Sequence, residues 1–73
     1  MTELQRAWAD LIGALPRGWR LGQLTLHHED GLWRLVAFGP PPARRRQPPE
    51  QLLAVAASEL LVVRELRGLL TRR

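Results

Sequence analysis

Residues 24–38, Leu-Thr-Leu-His-His-Glu-Asp-Gly-Leu-Trp-Arg-Leu-Val-Ala-Phe, constrain the fold more than any other stretch of this chain. Two β-competent runs flank Glu29-Asp30-Gly31, a strong hairpin signal. An even loop places Leu24, Leu26, Trp33, Leu35 and Ala37 on one face. A two-residue loop pairs Leu26 with Leu35, and a four-residue loop starting at His28 pairs Leu26 with Trp33. A three-residue loop with a bulge would change that parity. The second hairpin face then carries Leu32, Val36 and Phe38 beside Gln23, Thr25, His27 and Arg34. That face is too apolar for ordinary solvent exposure.

Helical patterns lie on both sides of the hairpin. In the first, Leu4, Trp8, Leu11, Ile12 and Leu15 recur at the spacing of one helical face. Thr2 with Gln5 fits a capping box, in which each side chain satisfies the other residue's free backbone N–H. Pro16 ends the helix, because a residue preceding proline is driven out of the α region. Pro16-Arg17-Gly18 reads as a turn.

Residues 39–49, Gly-Pro-Pro-Pro-Ala-Arg-Arg-Arg-Gln-Pro-Pro, form a stiff connector that ends the second strand. A second helix is expected from about Pro48 to Leu66 or Leu70, with proline in its first turn and Glu50 near its positive end. Its wheel shows two apolar seams. Leu53, Ala56, Leu60 and Val63 make one; Val55, Val62, Leu66 and Leu69 make the other, with Glu59 between. Apolar residues on two sides imply burial on two sides. The expected fold is therefore α+β in α-β-β-α order: an antiparallel hairpin, with both helices on one face, forming one domain over residues 1–73.

A chain of 73 residues without cysteine has no disulfide or thiolate metal site to staple it. At this size folding buries only about 60% of the unfolded surface, so oligomerisation is a usual remedy. A homodimer is expected, through Val55, Val62, Leu66 and Leu69 of the second helix. Two copies joining strands is the other arrangement.

All eleven basic residues are Arg, and Lys, Asn and Tyr are absent. That bias fits a GC-rich bacterial or phage genome. Net charge is +4. Arg44, Arg45 and Arg46 in the connector, with Arg72 and Arg73 at the C-terminus, are candidates for contacting phosphates or an acidic partner. No aromatic residue is interleaved with them to stack a base.

Other chemistry has little to work with. His27 and His28 point to opposite faces of a strand and would not share a metal ion. Ser58 has no Cys, Lys or Tyr to activate it. Glu29 and Asp30 are adjacent turn residues. Glu59, set among apolar residues, needs solvent at the rim or an Arg such as Arg20 or Arg34. No catalytic, cofactor or metal site and no small-molecule substrate is expected. The longest apolar stretch, Leu52 to Val63, is interrupted by Ser58 and Glu59 and falls short of the roughly 20 residues that span a bilayer. A cytoplasmic location follows as the expectation.

Gly31-Leu-Trp33-Arg-Leu, followed after a loop by Pro49-Glu-Gln-Leu-Leu-Ala-Val-Ala, resembles the β-β-α unit of HicB-like antitoxin domains. The resemblance covers about half of the chain. The family's third strand and its Gly-containing loop find no counterpart in the Pro-rich connector. The resemblance implies binding of a partner protein rather than catalysis. The sequence expectation is thus a small non-catalytic accessory or regulatory protein acting by self-association and protein contacts. The other class of function is a nucleic-acid-binding module built on the connector arginines and the basic C-terminus.

Overall fold

The computed structural model describes residues 1–43 and 46–72. Its elements run α1 (Glu3–Ala14), β1 (Arg20–Leu21), β2 (Thr25–His27), β3 (Leu32–Phe38), β4 (Gln51–Ala56) and α2 (Glu59–Thr71). The α+β class stands, with two helices against a four-stranded antiparallel sheet rather than a lone hairpin.

Helix α1 starts as its sequence dictates. Gln5 N–H donates to Thr2 Oγ1 at 3.1 Å, and Thr2 N–H donates to Gln5 Oε1 at 2.9 Å. Leu15, before Pro16, is already extended and caps the C-terminus. Trp19 N–H then donates to Pro16 O across a turn whose left-handed position is Gly18, φ +87°; only glycine takes that conformation without a Cβ penalty.

The hairpin register is the four-residue-loop one. His27 pairs Leu32, Leu26 pairs Trp33 and Thr25 pairs Arg34. Gly31, φ +69°, supplies the left-handed residue and donates to His27 O at 2.8 Å. Further along, the pairing becomes Leu21 with Ala37 and Arg20 with Phe38. Gly22, Gln23 and Leu24 thus oppose only Leu35 and Val36, so β1 and β2 are one strand track broken by a bulge. At the bulge Gly22 N–H donates to Val36 O at 2.7 Å. A Cβ on Gly22 would lie 2.5 Å from Val36 Cγ1 and 2.7 Å from Phe38 Cε2, so glycine admits those side chains.

The expected second helix is corrected in its first half. Residues 51–56 are strand, paired to β3 from Phe38–Gln51 to Trp33–Ala56. The helix begins only at Glu59, where Ser58 Oγ accepts Leu61 N–H at 3.1 Å. Ala37 pairs Leu21 on one side and Leu52 on the other, making β3 central. A bare hairpin would leave half of β3's backbone groups without ladder partners; β4 supplies them.

The sheet's inner face presents Leu35, Ala37 and Ala54, all essentially inaccessible, to Ala7 and Leu11 of α1 and Val62, Val63, Leu66 and Leu70 of α2. Trp8, Leu15, Leu24 and Trp33 pack around this core half-buried, while Leu26 at the hairpin end is exposed. The two seams expected on the second helix collapse into one stripe on α2: Val62, Val63, Leu66 and Leu70. Glu59 accepts the indole N–H of Trp8 at 3.0 Å, across the α1–α2 contact, and among the described residues pairs no Arg. Arg64 meets Glu3 at 2.6 Å across the same contact.

Candidate interaction surface

Alternation along the strands fixes a second face. Arg20, Thr25, His27, Leu32, Arg34, Val36, Phe38, Gln51, Leu53 and Val55 share it by register. Both helices pack on the other side, so among the described residues this outer face has no covering layer. Leu53 is 56% exposed and Val55 40%, while Leu32, Val36 and Phe38 are half-buried by their strand neighbours. The expected second hairpin face, Leu32, Val36 and Phe38, is therefore extended by β4. Leu53 was not among the expected contact residues. The alternation that would place it outward is masked because Leu52, Leu53, Ala54, Val55 and Ala56 are all apolar.

The charged residues of this face are Arg20 and Arg34. The Arg20 guanidinium sits 5.5 Å from the Phe38 ring centre, a cation–π contact. Arg34 Nη2 donates to Asp30 Oδ2 at 2.7 Å, and its Nη1 is buried without a hydrogen-bond partner. Asp30 also accepts Leu32 N–H at 3.0 Å. The Arg34 hydrogen bond first, then the Leu32 N–H, hold the Asp30 carboxyl below its usual pKa.

The two sheet edges differ. The β1–β2 edge is short and bulged, a device that blunts further pairing. The β4 edge is regular, with no charge or proline from Gln51 to Ala56. Gly39 N–H donates to Glu50 O at 2.7 Å. By alternation Leu52, Ala54 and Ala56 also bond toward β3, so the N–H and C=O groups of Gln51, Leu53 and Val55 point away from the sheet.

The expected self-association residues scatter. Val62 and Leu66 are fully inaccessible in the chain's own core, and Leu69 is half-buried against it. The helix contact expected through Val62 and Leu66 is thus corrected: those side chains are already packed against the sheet. Val55 belongs to the outer sheet face and not to a helix.

Among the connector and terminal arginines, Arg46 and Arg72 are exposed. Arg72 Nε donates to Gly68 O at 3.0 Å, closing the end of α2. Arg44, Arg45 and Arg73 lie outside the described residues. Another basic cluster lines a groove of about 630 Å³ where Arg6 of α1 meets Arg64 and Arg67 of α2, with Glu3 and Asp10 among them. His27 and His28 are exposed. Among the described residues no group of three or more His, Asp or Glu is placed to hold a metal ion, and no helix is long and apolar enough to cross a membrane.

Comparison with known proteins finds no matching family model, no similar curated protein and no similar solved structure. Of the residues that resemble the HicB-like unit, those expected to open its helix, 49–56, instead lead into and form β4.

Proposed function

We propose that this chain is a small, non-catalytic protein of bacterial or phage type that acts by protein–protein contact, beginning with self-association. The observation that carries this reading is the uncovered outer face of the sheet, where Leu53 and Val55 stand exposed beside Leu32, Val36 and Phe38. Contiguous apolar surface of this kind is stabilised when a second surface displaces its water. A chain of 73 residues with no cross-link gains most from such burial. Closed two-fold dimers are the commonest way to supply it.

Sedimentation equilibrium at micromolar concentration tests this. The expected mass is about twice the 8.3 kDa of one chain. A single-chain mass at every concentration overturns self-association.

A second reading, binding of nucleic acid or another polyanion, is favoured by the net charge of +4 and by the exposed Arg46 in the connector. It requires affinity for arbitrary DNA or RNA that falls steeply with salt, since phosphate contacts release counterions. Salt-insensitive or absent binding removes it.

A further inference from the structure

We propose that two copies of this chain join edge to edge through β4, antiparallel, about a two-fold axis at Leu53, so that their sheets become one. This rests on the self-association reading above but places the contact at the sheet edge: of the outer face it covers Leu53 and Val55, and leaves Leu32, Val36 and Phe38 open.

The backbone supplies the first reason. Gln51, Leu53 and Val55 direct three N–H and three C=O groups outward from the β4 edge. An antiparallel copy satisfies all six when Gln51 faces Val55, Leu53 faces Leu53 and Val55 faces Gln51. Each such pair exchanges two hydrogen bonds. Sliding one way brings Pro49, which has no N–H, opposite Val55. Sliding the other way brings in Ala57, beyond the end of the strand. The axis at Leu53 is the register that uses every outward group.

Charge supplies the second reason. Stacking two outer faces would set Arg20 and Arg34 of both copies into one desolvated layer, where unpaired charge is costly. Arg34 already has one buried nitrogen without a partner. The β4 edge carries no charged residue, so like meets like there without repulsion. Side chains of Leu53 and Val55 from the two copies would then form one apolar stripe across the seam, as cross-strand neighbours do. The opposite edge is excluded by its bulge.

The chain has no cysteine, so an introduced thiol reports alone. With a short thiol-to-thiol cross-linker Leu53→Cys should form a covalent dimer, because directly paired residues have Cα atoms about 5.5 Å apart. Gln51→Cys alone should not, since its own copy lies four residues, or about 13 Å, along the strand. A mixture of Gln51→Cys and Val55→Cys chains should cross-link to each other. Separately, Leu53→Pro removes an outward N–H and no bond to β3, so it should halve the sedimentation mass while circular dichroism stays that of the parent. If that variant fails to fold, the cross-linking pattern alone decides. A dimeric parent whose Leu53→Cys and mixed variants do not cross-link overturns the β4 register and leaves self-association standing. A parent monomeric at all concentrations overturns both.

Discussion

Leu66→Ala separates a core role for α2 from an intersubunit one. Leu66 is fully inaccessible within one chain. Truncation removes three carbons, which at about 0.8 kcal/mol per buried group forfeits roughly 2.4 kcal/mol of transfer free energy. The residual cavity raises this toward about 3–4 kcal/mol, inside the usual range for buried Leu→Ala changes. A domain of this size has roughly 4–11 kcal/mol in total, so the variant should melt about 12–32 °C lower. Leu61→Ala is the control: Leu61 is in the same helix but 49% exposed, and its loss should stay within about 0.5 kcal/mol. Urea denaturation of both variants, with sedimentation of each, is the assay. Should Leu66→Ala leave stability within 1 kcal/mol of the parent (on the order of experimental scatter) while lowering the mass, Leu66 faces a partner and the core assignment fails.

Gly22→Ala should destabilise by about 1–3 kcal/mol through overpacking against Val36 and Phe38; unchanged thermal stability would mean the bulge relaxes freely. Trp8→Phe keeps most of the ring's bulk but removes the N–H that Glu59 accepts, and should cost about 1 kcal/mol, a loss that vanishes in a Glu59→Ala background, which has no acceptor, if this bond is its source. Asp30 has a lowered pKa because Arg34 and the Leu32 N–H bind its anion. Its contribution is therefore complete at neutral pH and fades as pH falls from its unfolded value near ~4 through its folded one. Asp30→Asn should flatten part of the acid limb of stability measured in urea, and an equally acid-sensitive variant would place that limb on other carboxylates. Replacing Arg44, Arg45 and Arg46 together with Ser should leave the melting temperature nearly unchanged, and a clear drop would show that they bond into the fold.

Local signals were enough for α1 and the hairpin. A capping box, a single apolar stripe and Pro16 define α1 through contacts within a few residues. Asp30-Gly31 marks the turn, because Gly31 takes the left-handed position there, and an even loop sets the parity; the choice of the four-residue loop over the two-residue one was visible only in the structure. Ser58 followed by Glu59 and an apolar run was also a readable start for α2. It was obscured by Pro48-Pro49-Glu50, which offers an equally good first turn ten residues earlier.

The identity of residues 51–56 was not decidable locally. Gln, Leu and Ala are good helix formers, and an all-apolar run hides the strand alternation. Only the tertiary structure decided it, because β3 is buried on its inner face and has two edges whose backbone groups must be paired. Once 51–56 pairs with β3, Ala54 lies inward beneath α2 and Leu53 and Val55 turn outward. Val62 and Leu66, apparent surplus on a longer helix, become core, while Leu53 and Val55 expose apolar surface on the sheet and Ile12 and Leu61 on the helices. The sequence by itself determined where the chain turns, where α1 starts and stops, and the parity the hairpin favours; its register came only with the structure. The long-range pairing of β3 with β4 determined which apolar residues face water, since that depends on what lies opposite each residue in space and not on its neighbours in the chain.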